Sequence, residues 1–187
     1  TTEIYTLSLH DALPIFLKAR VEFLKGNHEL ATKILKQVTG NHSEVHEFKD
    51  LVYDTYEETK LFTTSESKHF VYRYKKGPDE ILVHYATKVL EKSYKVLGKI
   101  FNYYPKGKVL VEFYPNRESF SKISPLTLDD IAISGTVALC KYNRIMMISP
   151  GSLVRGYNWM DTLSHEYTHR SEEHTSELQS RAYPVCR

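Results

Sequence analysis

Cysteine and tryptophan are scarce in this 187-residue sequence, which contains two cysteines and one tryptophan. Two cysteines cannot form the disulfide framework of a small secreted domain, and Cys186 lies in a terminal segment unlike the rest of the chain. Cys140 then stands alone, within the apolar and strand-like run 137–140. A small buried hydrophobe is therefore favoured over a nucleophile at this position, and the redox compartment stays open.

Long apolar runs and an excess of one charge are also missing. No run approaches the stretch of about 20 apolar residues that a membrane-spanning helix needs. The 25 Lys and Arg residues are balanced by 23 Asp and Glu residues, for a net charge of +2. A balanced charge without a basic cluster argues against a nucleic-acid partner. With 41% hydrophobic and 26% charged residues, the composition is that of a globular chain of one or two domains.

The two ends of the chain do not resemble the sequence between them. Residues 12–15 can be encoded by GCT CTT CCG ATC T and residues 170–173 by AGA TCG GAA GAG C, and these strings are reverse complements. Both segments look like translated sequencing-adapter sequence, so we expect residues 1–15 and 170–187 to be artefacts without information about the fold. The alternative is a genuine N-terminal strand and a polar C-terminal tail.

On the adapter interpretation, native sequence extends from about residue 16 to residue 169, and the gene was cut directly after His169. A signal peptide or membrane anchor could have been lost upstream. The compartment is therefore undetermined, with the cell envelope and secretion both compatible, and the oligomeric state is equally open.

Residues 16–62 have helical periodicity. Apolar and small residues recur at helical spacing over 16–38, and Gly26-Asn27 predicts the end of one helix and the start of the next. Their register resembles one copy of a tetratricopeptide repeat, although a stable array needs at least three copies. An ordinary helical hairpin is the alternative. A third helix is predicted over 43–60.

Residues 63–169 alternate between strand and helix patterns. The polar stretch 63–67 predicts a break and a domain boundary, and 158 is expected to start a last helix. Segregated elements of this kind predict an α+β domain with a small mixed or antiparallel sheet. The predicted elements are a strand at 69–74, a long helix at 79–103, a strand at 108–114, a short helix at 117–123, and a hairpin of strands 137–141 and 144–148.

The segment 161–169 contains His-Glu-x-x-His on the last predicted helix. Because side chains four residues apart share one face of a helix, the imidazoles of His165 and His169 can converge on one cation. Zinc accepts imidazole nitrogen at about 2.0–2.1 Å and keeps an open position for water in catalytic sites. Glu166 is then positioned to act as general base towards that water. The alternative is two surface histidines that happen to be four residues apart.

Residues 70–169 resemble the N-terminal half of a peptidase MA-like catalytic domain, a zincin of the gluzincin type. The strands around 71–72 and 109–114, the hairpin region 135–150 and, above all, the His-Glu-x-x-His motif carry the resemblance. Tetratricopeptide-like regions often accompany this domain, which fits the helices at 16–38. The resemblance implies a partial zincin-like domain preceded by a helical hairpin, with zinc ligands His165 and His169 and general base Glu166.

The same family uses a glutamate from a following helix as the third zinc ligand, usually in a Trp-Leu-x-Glu-Gly-like motif. The sequence has no such motif, and Glu172, Glu173 and Glu177 follow His169 too closely and lie in the adapter-like tail. None of them is assigned as a ligand. We also hypothesise that the second hairpin strand, 144–148, is the sheet edge that holds an extended peptide.

The expected function is zinc-dependent peptide hydrolysis by a bacterial-type metallopeptidase, with a peptide or protein as substrate. With two protein ligands we expect this chain to be inactive or nearly so. The alternative function is a non-catalytic scaffold in which the helical repeat and the zincin-like domain bind protein partners. Substrate and cleavage preference do not follow from the sequence.

Overall fold

The computed structural model describes residues 9–38 and 43–182. Three helices come first, and strands and helices then alternate, so the predicted α+β class is confirmed. The elements are α1 Leu9–Leu24, α2 His28–Leu35, α3 Ser43–Thr59, β1 Thr63–Glu66, β2 Phe70–Tyr74, α4 Glu80–Phe101, β3 Val109–Tyr114, α5 Arg117–Ile123, α6 Leu128–Ser134, β4 Ala138–Lys141, β5 Arg144–Ile148, a 3-10 turn Pro150–Ser152 and α7 Trp159–Ala182.

The two outer helices cross the predicted adapter boundaries. Helix α1 begins at Leu9, before residue 16, and α7 continues beyond residue 169 to Ala182. Because helix formation depends on local propensity, a helix on both sides of a boundary does not distinguish native from adapter-derived sequence. The origin of residues 1–15 and 170–187 stays a prediction, and residues 1–8 and 183–187 lie outside the described residues.

The five strands form one mixed sheet in the order β1-β2-β3-β5-β4. Strands β2, β3 and β5 are parallel neighbours, while β1 and β4 pair antiparallel at the two edges. Two predictions were wrong. The polar stretch 63–67 contains edge strand β1 and is not a break between elements. The hairpin strand at the edge of the sheet is its first strand, β4, and not its second strand, β5. All five residues of β5 are buried, because it lies between β3 and β4.

Helices cover both faces of the sheet. Inward-facing side chains of β2, β3 and β5 pack with α4 and α7 on one face, where Leu90 and Leu163 are fully buried. On the other face, α5 and α6 pack against Tyr114, Met146 and Ile148. Helices α1 to α3 form a further cluster that Tyr142 joins. Among the described residues, no helix has the length and hydrophobicity to span a membrane.

The tight turn of the β4–β5 hairpin brings it onto the helical unit. Tyr142 and Asn143 have φ values of 54° and 64°, the left-handed pair that a two-residue hairpin turn requires. The Tyr142 ring lies 5.6 Å from the ring of Phe23 on α1, and Asn143 Nδ2 donates to the Leu24 carbonyl at 3.1 Å. The predicted turn at these residues is therefore confirmed, and it also anchors α1.

A buried ionic network joins α2 and α3 to the sheet. Glu112 on β3 is fully buried, and its Oε2 lies 3.3 Å from Nε of Arg144 on β5. Tyr114 donates to Glu112 Oε2 at 2.7 Å, and Arg73 Nη1 lies 3.4 Å from Glu112 Oε1. Nη1 of Arg144 contacts Nε2 of His28 at 2.7 Å. The helical unit and the sheet therefore share one polar core.

Candidate metal site

Helix α7 has one buried face and one exposed face. Leu163 and Tyr167, four residues apart, are 0% and 1% exposed and pack into the core between the sheet and α4. Tyr167 stacks edge-on against Phe70 of β2, with ring centroids 5.4 Å apart. His165 follows Leu163 by two positions, and His169 follows Tyr167 by two positions. Two positions correspond to about 200° around the helix, so both histidines lie on the exposed side.

The structure brings the two histidines together as the spacing predicts. Their Nε2 atoms are 2.9 Å apart, and the rings meet edge-on with centroids separated by 4.4 Å. Two imidazole nitrogens on one tetrahedral zinc, each at about 2.0–2.1 Å, would be about 3.3 Å apart. The rings need to open by a few tenths of an ångström to present both lone pairs to one ion. The pair therefore fits two of the three ligands of a catalytic zinc.

Glu166 lies at the flank of the same face. It is partly buried, and it follows His165 by 100° around the helix. A carboxylate one position after the first histidine could reach water on a shared ion without binding the ion itself. The role of Glu166 as general base stays a prediction.

The third ligand is not found within the described residues. They contain no group of three or more His, Cys, Asp or Glu side chains arranged to hold a metal. Glu172 Oε2 lies 3.5 Å from His169 Nδ1, which is the ring nitrogen that points away from His165. Glu172 can therefore orient the His169 ring through Nδ1 but does not reach the point of convergence. The side chains of Glu173 and Glu177 lie outside the described residues.

Tyr167, the buried residue next to Glu166, is protonated near neutral pH. Burial raises the pKa of Tyr167 to about 12, so its phenol keeps its proton. The side chain instead anchors α7, because its ring is enclosed by the sheet and the helix layer. Tyr167 and Leu163 thereby fix the rotation of α7 and with it the direction in which His165 and His169 point.

The two histidines of the candidate site lie on an exposed helix face. Three surface cavities are lined by other residues. One of about 530 Å³ lies between the start of α2 and the end of α3, one of about 580 Å³ lies at the loop before α7, and one of about 210 Å³ lies in the groove between α2 and α3. Edge strand β4 packs beside α7, and its outer edge has no neighbouring strand among the residues described. Cys140 of β4 is partly buried against the same core, as its apolar context predicts.

Comparisons with protein families, with curated proteins and with solved structures find no match to this chain. The resemblance to gluzincins therefore stays a prediction. The structure itself shows the α+β fold class, the helix that carries the motif and the close approach of its two imidazoles.

Proposed function

We propose that this chain carries part of a zinc peptidase site, in which His165 and His169 hold the ion and Glu166 acts as general base. The observation that carries the proposal is the 2.9 Å separation of the two Nε2 atoms on an exposed helix face, with Glu166 beside them. When bound, zinc lowers the pKa of its water to about 7 and polarises a scissile carbonyl.

The protein's own groups would supply positioning and proton transfer. The buried contacts of Leu163 and Tyr167 hold α7 in place, so the two imidazoles need little reorganisation to bind. Glu166 would accept a proton from the attacking water and donate it to the leaving amine. Glu172 can hold the His169 ring through Nδ1, a contact that tightens histidine ligands in other sites.

A peptide substrate would lie along β4. This strand is the sheet edge on the side of α7, and main-chain hydrogen bonds to an edge strand hold an extended peptide in a defined register. The assignment replaces β5, which is central and has both edges paired. Edge binding would place the scissile bond beside the exposed face of α7.

A second candidate function is a non-catalytic scaffold that binds protein partners. Its support is the solvent exposure of His165 and His169, since catalytic sites usually exclude water around the reacting groups. The two functions differ in what they require of Glu166, because only the peptidase needs its carboxylate.

Zinc binding tests the proposal directly. Titration of the full chain against a chromophoric chelator should show one zinc per chain, bound weakly and removed readily, since two protein ligands are fewer than a catalytic site uses. His165→Gln and His169→Gln should each abolish binding, whereas the control His84→Gln, at an exposed histidine on α4, should leave it intact. Unchanged zinc binding in either ligand variant contradicts the site, and stoichiometric, chelator-resistant zinc contradicts the two-ligand assignment.

Activity separates the peptidase from the scaffold. Glu166→Gln should keep the zinc affinity of the wild type and abolish any residual cleavage of an unfolded protein substrate, because only the general base is lost. Cleavage that persists in this variant would remove Glu166 from the mechanism and leave the scaffold as the better function.

A further inference from the structure

Helix α4 carries a row of lysines along its exposed side. Lys88, Lys92, Lys95 and Lys99 follow one another at intervals of four, three and four residues, which aligns them on one face. All four side chains are exposed. The row extends over about 16 Å of a helix that is about 33 Å long.

Ion pairing distinguishes these four lysines from other lysines on the described surface. Among the residues that the structure describes, no carboxylate lies within 4.0 Å of any of the four ammonium groups. Glu91 of α4 is turned away to pair with His69 at 2.6 Å. The lysines that do form such ion pairs are Lys25, Lys33, Lys60, Lys108 and Lys122.

Large apolar side chains lie beside the lysine row. Ile81, Tyr85, Val96 and Ile100 are 58%, 45%, 47% and 66% exposed although they belong to a helix whose opposite face is well buried. Helical spacing places Ile81 in line with the row, and Tyr85, Val96 and Ile100 to one side of it. Lys88 Nζ lies 5.9 Å from the centre of the Tyr85 ring, so the two types of side chain are in contact. The face therefore combines unpaired positive charge with exposed apolar surface.

We propose that this face of α4 docks the protein on an anionic phospholipid bilayer. Apolar side chains on an interfacial helix enter the boundary between headgroups and acyl chains, while lysine stems extend to the headgroup phosphates. Each lysine near an anionic surface adds attraction, and the effect falls off within a Debye length. Docking through α4 is independent of the metal chemistry proposed for α7.

Two features favour a bilayer over a nucleic acid or an acidic protein. Surfaces that bind single-stranded nucleic acid combine a positively charged groove with aromatic side chains on which the bases stack, whereas the exposed apolar residues of α4 are mainly aliphatic. The outer face of a single helix is convex, and a bilayer accepts it without a complementary groove. Ser93 of α4 contacts Ser164 of α7 at 3.4 Å on the side of α4 away from the lysines, so α7 would lie behind α4 and not at the bilayer surface.

Vesicle cosedimentation of the full chain tests this inference. In about 0.1 M salt the chain should bind vesicles that contain phosphatidylserine and ignore pure phosphatidylcholine, and about 1 M salt should weaken binding because the Debye length falls to about 3 Å. The double variant Lys92→Gln/Lys95→Gln should lower the partition coefficient about 25-fold, because each lysine near the surface contributes about fivefold. The matched control, Lys33→Gln with Lys60→Gln, removes the same charge from two paired lysines, one on α2 and one directly after α3, and should change binding less than about twofold.

The apolar contribution is tested by Val96→Ser with Ile100→Ser, which should weaken binding without altering its salt dependence. All altered side chains are exposed, so circular dichroism and the melting temperature should match the wild type. Equal binding to both lipid compositions, or wild-type binding by the Lys92/Lys95 variant, overturns the inference. So does a wild-type chain that ignores vesicles and binds a poly-dT oligonucleotide or polyglutamate through these lysines.

Discussion

His28 is an imidazole whose protonation state is fixed by its neighbours. An arginine can only donate, so the Arg144 Nη1 contact at 2.7 Å makes His28 Nε2 the acceptor. His28 Nδ1 then carries the proton and donates to Thr59 Oγ1 at 3.2 Å, and Thr59 donates to the Thr55 carbonyl at 2.7 Å. Burial lowers the pKa of His28 to about 3, which agrees with a neutral ring.

This shift makes stability depend on pH. The folded pKa of about 3 lies below the ordinary value of 6.5, so between these values the unfolded chain binds a proton that the folded chain does not. The free energy of unfolding should therefore fall as the pH falls below 6.5, by about 1.4 kcal/mol per pH unit from this residue. Urea unfolding between pH 6.5 and 5 measures it, since carboxyl groups mostly titrate lower.

His28→Gln should flatten this pH dependence, because the amide oxygen can still accept from Arg144 but does not titrate. His84→Gln, which removes an exposed imidazole on α4, should retain the wild-type slope. A slope in His28→Gln equal to that of the wild type would show that another group is responsible.

Glu112 is the acidic centre of the same network. Burial alone would raise the pKa of its carboxyl, but the Arg144 guanidinium and the hydrogen bond from Tyr114 hold it below the ordinary value. The charge is therefore kept in the core by its partners. Removing Arg144 leaves Glu112 buried with only the more exposed Arg73 as a cationic neighbour, which costs more than the pair contributes.

At the level of elements, local sequence signals predicted most helices and strands. Helix α5 matches its predicted bounds because Asn116 accepts from the backbone amide of Ser119 at the start of the helix. Helix α6 was missed although its signal is present, because Thr127 and Asp130 form a capping box. Strand β1 was missed because Thr-Thr-Ser-Glu is polar, as exposed edge strands often are.

The α6 capping box gives an element-scale prediction. Thr127 Oγ1 accepts from the Asp130 amide at 3.1 Å, and the Asp130 carboxylate accepts from the Thr127 amide at 2.9 Å. Thr127→Ala should lower the free energy of unfolding by about 1 kcal/mol, because a helix amide loses its partner. Urea titration measures the change. Thr127→Ser keeps the oxygen and should restore most of the loss, and an equal loss in both variants would argue against the cap.

Strand order was harder to predict than the strands themselves. The run Ile145-Met146-Met147-Ile148 is continuously apolar, which is typical of a strand covered on both faces, and this signal could have placed β5 in the centre. The motif histidines were predictable because four-residue spacing on a helix is a local property. The Glu112–Arg144–His28 network was not, since its members come from three distant segments that only the tertiary fold brings together.

At the scale of the whole molecule, one buried contact and one exposed contact join helices α2 and α3 to the rest of the fold. Arg144 and Glu112 are 1% and 0% exposed and connect to α2 through His28. Lys122 on α5 pairs with Glu58 on α3 at 2.7 Å, and the lysine is 58% exposed. Buried pairs are costly to break, whereas exposed pairs contribute about 0–1 kcal/mol. The first contact joins the sheet to α2 and the second joins α5 to α3, so they differ both in burial and in the elements that they connect.

Arg144→Ala should therefore reduce the free energy of unfolding by about 3–5 kcal/mol, because Glu112 is left buried without its main partner. Lys122→Gln should cost less than about 1 kcal/mol.

Trp159, the single tryptophan, lies 6.4 Å from Phe113 of β3, so its fluorescence reports the sheet, while circular dichroism at the helix band reports all helices. The two probes should coincide in the wild type and in Lys122→Gln, as one cooperative unit requires. As urea is added to Arg144→Ala, the helix signal should begin to fall before the fluorescence, because α1 to α3 lose their buried link to the sheet. Coincident transitions at wild-type stability would show that the network does not couple helices α1 to α3 to the sheet.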